Sequence, residues 1–392
     1  MSNYTEKNGF INMKINDGHW HICRHRPVDE SLNYIKKAKE YLGLDKIAFL
    51  SYEYADDTGL DNSSNLKALY LRDNIAGDAY AFAALSHYGD ERDTAPGFLE
   101  QVKLYHALGF DGIKILEGKP DYHDMFNCKF DGGKYDAMFA YLAENKIPVI
   151  AHVADFVAFP NPEREKKREE LQKEFLNVLE KYPDLKITFA HMFNMAHDRL
   201  RLTEIMETYK NVSVDLALGG DFLMRFSADH DGWNEFFIKF SDRVIYGTDT
   251  YNDYFTEEDD FNIATRHTPV RKFFESKEPF SAVYYDLNPG IYGENVVINP
   301  ALLPENIVYD IYINSFKKAF GDKPRKTDIS LVQKHCNDVL EGYNSGRLKS
   351  CLYKPLPEWL SEDVKKNAER SHELALENLE TIRNYYLNEV KK

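Results

Sequence analysis

Short apolar runs rich in β-branched and aromatic residues alternate along this chain with longer stretches whose apolar positions recur every three or four residues. The short runs, at 13–18, 46–51, 79–85, 112–116, 147–152, 186–191, 211–216 and 243–248, predict strands. The longer stretches, at 30–41, 98–108, 135–144, 164–181, 200–209 and 231–240, predict amphipathic helices between them. Eight strands with intervening helices is the count of a (β/α)8 TIM barrel, here expected over 11–320. A doubly wound open sheet is the competing layout.

Four of the short runs end on a residue able to bind a metal. The first leads into His19-Trp20-His21, the fifth into His152, the sixth into His191 and the eighth into Asp249. In a strand alternate residues share a face, so His19 and His21 point the same way, with Asp17 and Cys23 on that face too. The carboxyl ends of the strands are where parallel α/β folds keep their chemistry. An open sheet would gather such residues at one switch point. Only a closed barrel sets the first and eighth strands side by side.

Past the eighth strand, 251–304 is rich in Tyr, Asn and Pro, with a helical pattern near 263–275 and a loop at 285–299. Its position after a ligand-bearing strand suits a cover for the barrel mouth, and suits a passive surface excursion about equally. Residues 304–320 read as the closing outer helix. From 321 to 392 the composition turns to charged helix, periodic in Leu and Ala at 330–340 and 361–386. This extension is expected to pack on the barrel or on a second subunit, which leaves a homo-oligomer open.

Composition narrows the partners. Lys and Arg total 49 against 64 for Asp and Glu, a net charge of −15, so a broad positive surface for nucleic acid is not expected. No run of apolar residues is long enough to cross a bilayer, and residues 1–10 lack the apolar core of a secretion signal. The four cysteines, Cys23, Cys128, Cys336 and Cys351, are scattered, as in a reducing compartment. The expected setting is therefore cytoplasmic, without a membrane or nucleic-acid partner and with a small-molecule substrate. Cys23 is read as a small buried filler in preference to a site residue.

Imidazoles with a carboxylate suit zinc first, then manganese, iron or cobalt, and exclude an all-oxygen calcium cage. A nucleophile elbow, a phosphate-binding P-loop and a dinucleotide-binding glycine fingerprint are all missing from the sequence. In their place, Asp17-Gly18-His19-Trp20-His21 resembles the first-strand signature of the amidohydrolase superfamily. Val149-Ile150-Ala151-His152 and Thr188-Phe189-Ala190-His191 are similar to its fifth- and sixth-strand histidine segments, and Ile245-Tyr246-Gly247-Thr248-Asp249 to its Gly-Thr-Asp ending. The likeness spans 15–321 and is nearest to the amidohydrolase-related branch that includes aminocarboxymuconate semialdehyde decarboxylase. Asn314 resembles an Asn of that branch's closing helix.

The resemblance implies that His19, His21, His152 and Asp249 bind one divalent ion, that His191 is the general base or acid, and that Asp249 also orients water. Lys114 and Glu117 are the residues to weigh for a second metal, although the branch resembles a mononuclear site; Lys114 could equally be an ion-paired core residue or hold a substrate carboxylate. Asp17 is read as orienting a ligand or pairing with a basic group. His87 is read as able to touch substrate, while His106, His123, His197 and His230 are read as surface histidines. Three functions remain open: hydrolysis of an amide, ester or lactone; nonoxidative decarboxylation of an aromatic or unsaturated acid, with Arg24, Arg26, Lys114, Lys119, Arg225 and Arg266 as cations for its carboxylate; and binding without chemistry. The metal-dependent hydrolase is the first expectation.

Overall fold

The computed structural model describes residues 3–22, 26–51, 63–75, 77–86, 97–127, 129–155, 161–217, 220–251, 259–281, 296–346 and 370–391. Eight parallel strands run in chain order around a barrel: β1 (Ile15–Ile22), β2 (Leu44–Ser51), β3 (Ala79–Ala84), β4 (Gly112–Gly118), β5 (Val149–Val153), β6 (Ile187–Phe189), β7 (Val212–Asp215) and β8 (Val244–Ile245). A short ninth piece, β9 (Thr250–Tyr251), resumes the path of β8 and pairs with β1, Trp20 opposite Thr250 and His21 opposite Tyr251. The chain is a (β/α)8 TIM barrel, as the alternation of patterns predicts.

Period-two alternation builds two apolar layers from the same strands. Ala48, Leu50, Tyr80, Phe82, Ile150 and Ile245 fill the barrel interior, joined by Phe316 and Phe320. Their neighbours Ile47, Phe49, Ala79, Ala81, Ile113, Val149 and Val214 face outward into the layer beneath the helices. Helix ends carry ordinary punctuation. Gly43 closes Val28–Leu42 in the left-handed region at φ 71°, and the Asn161 side chain accepts from Arg164 N at 3.2 Å ahead of Pro162–Lys181.

The strands differ from expectation mainly at their ends. β1 continues through both histidines to Ile22, so His19 and His21 lie inside the strand. The expected helix over 304–320 is interrupted by a π turn at Asp310–Asn314 between Glu305–Tyr309 and Ser315–Phe320. Within that turn the carbonyl of Ile311 receives Tyr246 N at 3.3 Å, and the carbonyl of Ile313 receives Asn16 Nδ2 at 3.3 Å. The turn thus ties the closing segment to both β1 and the end of β8. Helices at Ser63–Asn74 and Gly220–Ala228 were not anticipated; the apolar residues of the first show no clean periodicity, while the second is short but amphipathic.

The C-terminal helices Ile329–Asn344 and Ser371–Val390 pack on the barrel's own outer helices. Asn378 Oδ1 accepts Val28 N at 2.8 Å, Tyr386 Oη donates to Asp73 Oδ2 at 2.9 Å, and the rings of Tyr70 and Tyr385 meet edge to face. Cys336 is a buried free thiol in this layer; Cys23, Cys128 and Cys351 lie outside the described residues, as do His87, Arg24 and, within 251–304, residues 252–258 and 282–295. Among the described residues no helix is long and apolar enough to cross a membrane.

β1 and the end of β8 approach so closely that only glycine fits at position 18. A Cβ there would stand 2.6 Å from Ile245 Cγ2 and 3.2 Å from the Tyr246 carbonyl oxygen. Gly18→Ala is expected to lower stability by about 1–3 kcal/mol through overpacking. Thermal unfolding checks this, and an unchanged midpoint would mean that the seam yields freely.

Candidate metal centre

One carboxylate reinforces the seam between β1 and the path of β8, where Gly18 N also donates to the Tyr246 carbonyl at 2.8 Å. Asp17 Oδ2 accepts Thr248 Oγ1 at 2.6 Å, while Oδ1 accepts Thr248 N at 3.2 Å and His19 N at 3.0 Å. Asp17 was expected on the face of His19 and His21; strand pairing is irregular between Asp17 and Trp20, and its carboxylate turns to the seam instead. Burial raises its pKa to about 7 against these hydrogen bonds. Beside it, Gly247 leaves room for His19, whose Cβ would lie 2.9 Å from a Cβ added at position 247. Asp249 then turns inward at φ 53°.

The result is a convergence of acceptor atoms. His19 Nε2 stands 3.0 Å from His21 Nε2, and Asp249 Oδ1 lies 3.1 Å from His21 Nε2 and 3.4 Å from His19 Nε2. His19 Nδ1 donates to Asp215 Oδ2 at 2.7 Å, which fixes its tautomer and leaves Nε2 as an acceptor, with Lys114 Nζ 3.3 Å away. Asp249 Oδ1 is buried and takes no properly aligned hydrogen bond. Atoms of His19, His191 and Asp249 able to bind a metal all lie within 4.8 Å of one another.

A second facing pair adjoins the first. His191 Nδ1 donates to the Ala217 carbonyl and His152 Nε2 donates to Asp155 Oδ1 at 3.2 Å. Their remaining nitrogens, His191 Nε2 and His152 Nδ1, confront each other at 3.0 Å, both as acceptors. Two lone pairs at that distance repel unless a proton or a cation lies between or beside them. The structure therefore brings His19, His21, His152, His191 and Asp249 to one place, with His152 reached through His191.

The electrostatics fit a cation. Burial lowers the pKa of His19, with Lys114 adding to the effect; burial also lowers His21 strongly and takes His152 to about 3. These rings are neutral at neutral pH, the state in which imidazole binds a metal. Burial alone would raise Asp215, but His19, His191 and Lys114 hold it below the ordinary carboxylate value. Asp249 is likewise held well below it, against burial, by His21, His19 and His191. Lys114, wholly buried, places Nζ 3.3 Å from His19 Nε2, and burial lowers its pKa to about 8. Glu117 Oε2 folds back on Leu116 N at 2.8 Å.

His191 rides on a strained turn. His191, Met192, Phe193 and Asn194 all have φ between 51° and 58°, a left-handed stretch that costs L-residues about 1–2 kcal/mol each. Its surroundings enforce it. Asn194 Nδ2 donates to the carbonyls of Val153 and Ala154 at 2.9 and 3.1 Å, Gln172 Nε2 to that of Phe193 at 2.8 Å, and the rings of Phe189 and Phe193 stack. Asp215 Oδ1 also accepts His191 N at 2.9 Å and Ala217 N at 3.1 Å.

The amidohydrolase family model matches residues 54–274, more than half of the sequence. The chain belongs to the amidohydrolase family. Within this amidohydrolase the match takes in His152, His191, Asp215 and Asp249, while His19 and His21 precede it. Amidohydrolase-superfamily enzymes depend on metal, and the donor set described above suits one. Similar solved structures include an amidohydrolase from Mycoplasma synoviae, at 14% identity, a TM-score of 0.45 and coverage of 85% of this chain and 95% of that one. Dihydroorotase from Campylobacter jejuni follows at 12% identity, TM-score 0.43 and coverage of 80% and 84%. Triazine hydrolase from Arthobacter aurescens has 13% identity, TM-score 0.42 and coverage of 79% and 70%. No curated protein matches the chain.

Sequence reasoning passed over Asp215, Asp155 and the left-handed turn. Asp215 is the last residue of β7 but lies one residue inside the seventh apolar run at 211–216, so its place at a strand end shows only in the structure. Asp155 and the turn leave no pattern. Arg266, named only as one cation among several, reaches from the helix Asp259–Glu275 to Asp249 Oδ2 at 3.4 Å. Asn314 is exposed and donates to Asp310 Oδ1 at 2.7 Å. His123 is bonded to Glu174 at 3.0 Å and His230 to the Pro300 carbonyl at 2.7 Å, both structural contacts.

Two substitutions test the centre. His19→Ala or Asp249→Asn is expected to cut bound zinc sharply, as read by metal analysis. Asp215→Asn, which keeps an acceptor oxygen for His191 N and Ala217 N while disturbing the group that orients His19, is expected to weaken metal affinity about 10–100-fold in chelator competition. Unchanged affinity would detach Asp215 from the centre.

Proposed function

We propose that this amidohydrolase hydrolyses an amide, ester or lactone of a small molecule, with His19, His21, His152 and Asp249 holding one divalent ion, zinc ahead of manganese, iron or cobalt. The supporting observation is the convergence of His19, His21, His152, His191 and Asp249 from the ends of β1, β5, β6 and β8, a donor set that suits a divalent ion. Such an ion lowers the pKa of water toward 7 and polarises a carbonyl.

The chain's own groups supply the remaining steps. The Ala217 carbonyl holds the Nδ1 proton of His191, so Nε2 is free to accept a proton from the attacking water. The new C–O bond forms at the substrate carbonyl, and the negative charge that develops on its oxygen lies in a buried field to which Lys114 contributes. His191 returns its proton to the leaving nitrogen or oxygen as the scissile bond breaks. Asp249 would orient the water through its second oxygen, which Arg266 now engages. The family match favours hydrolysis over decarboxylation, and the nearer likeness to the aminocarboxymuconate semialdehyde decarboxylase branch stays part of this proposal.

The test is a panel of amides, esters and lactones offered to protein loaded with each of the four metals. Turnover is expected to vanish on chelation and to return with the ion. His191→Asn is expected to keep the metal and lose about 10²–10⁴-fold in kcat. Carbon dioxide release from acids without any hydrolysis would overturn the reading, as would full activity in His191→Asn.

A further inference from the structure

The helix Asp259–Glu275 sets two successive residues against the two flanks of the seam. Arg266 Nη1 lies 3.4 Å from Asp249 Oδ2, and His267 Nε2 lies 3.8 Å from Asp17 Oδ2. His267 is 1% exposed, and its ring packs beside those of Tyr246 and Trp20, with centroids 5.8 and 6.5 Å away. An imidazole in such an apolar layer costs free energy unless its nitrogens are used. The hydrolysis proposed above gives this one no part.

The tautomer follows from what each nitrogen meets. Nδ1 is 2.7 Å from Tyr246 Oη. Nε2 is buried, makes no hydrogen bond among the described residues, and stands beside the Asp17 carboxylate. Asp17 already accepts three hydrogens, from Thr248 Oγ1, Thr248 N and His19 N, so the nitrogen beside it is the one that carries the proton. Nδ1 is then the acceptor, and Tyr246 Oη donates to it. Burial above all takes the His267 pKa down to about 3, so the ring is neutral and acts on Asp17 as a dipole. At 3.8 Å the pair is too long for a hydrogen bond, but in the low dielectric of the interior an N–H beside a carboxylate still favours it strongly.

We propose that His267, oriented by Tyr246, is a positioning residue of the metal centre: its Nε2–H steadies the Asp17 carboxylate and, through Asp17, the backbone of His19. This role presupposes the ion proposed above. It links the helix Asp259–Glu275 to a ligand that His267 does not touch, while Arg266, one residue earlier, meets the ligand on the opposite flank directly.

Cobalt(II) is titrated into the chelator-treated protein, its affinity read by chelator competition and its surroundings by the visible absorption of the ion. Glutamine places an amide N–H where imidazole has Nε2, whereas asparagine places its amide near Nδ1 and leaves Asp17 alone. His267→Asn is therefore expected to weaken cobalt about fivefold or more and to shift the visible band, while His267→Gln stays within about twofold of the wild type. Tyr246→Phe, which removes one hydroxyl and keeps the ring, is expected to weaken cobalt in the same direction, and it decides the matter if the His267 variants fail to fold. Unchanged affinity and band in His267→Asn, equal loss in His267→Asn and His267→Gln, or unchanged binding in Tyr246→Phe overturns the proposal. A wild type that takes up no cobalt overturns the metal centre itself. A wild type that binds cobalt, matched by all three variants, leaves the centre standing and removes His267 from it.

Discussion

The carboxylate of Asp17 is the joint on which the centre hangs. It binds the backbone and hydroxyl of Thr248 on one side and the backbone of His19 on the other, where the first strand meets the path of the last. The backbone ladder here is short: Gly18 N donates to the Tyr246 carbonyl at 2.8 Å, and β1 pairs with β9 over two residues. A side chain thus replaces part of the sheet. That substitution frees Asp249 to leave the strand path and turn into the barrel, opposite the two histidines of β1.

Around this joint the protein places neutral imidazoles against ionised carboxylates. Burial keeps the histidines from taking up protons, and the same histidines keep Asp215 and Asp249 charged. Asp215 serves three partners at once, His19 Nδ1, His191 N and Ala217 N, and so fixes both a ligand's tautomer and the start of the strained turn. Geometry and charge are set by shared groups, which makes the centre sensitive to substitutions that touch no ligand.

The barrel and the meeting of its histidines with Asp249 were legible in the sequence because both follow from periodicity: strand-length apolar runs, and a His or Asp at the carboxyl end of four of them. Asp215 lies inside the seventh run, one residue before its end at Leu216, so a rule that looks at the residue ending each run passed over it. The direction of Asp17 could not be read, since a break in pairing between Asp17 and Trp20 overrides strict alternation. Nor could the left-handed turn, where Met192 and Phe193 have no preference for positive φ and tertiary bonds from Asn194 and Gln172 impose it. The π turn in the closing helix likewise answers to bonds with Tyr246 and Asn16, which are distant in sequence.

Asp17 and Thr248 are separated by 231 positions, so the ligands on either flank of the seam are joined only once nearly the whole cylinder has been wound. Closing so long a loop carries an entropic charge that grows slowly with length and is met late in folding. A cation held by both flanks, as proposed above, would act as a clasp on the finished ring, favouring the closed form as its free concentration rises. Cofactor supply in the cell would then govern how long the molecule survives as well as how fast it works.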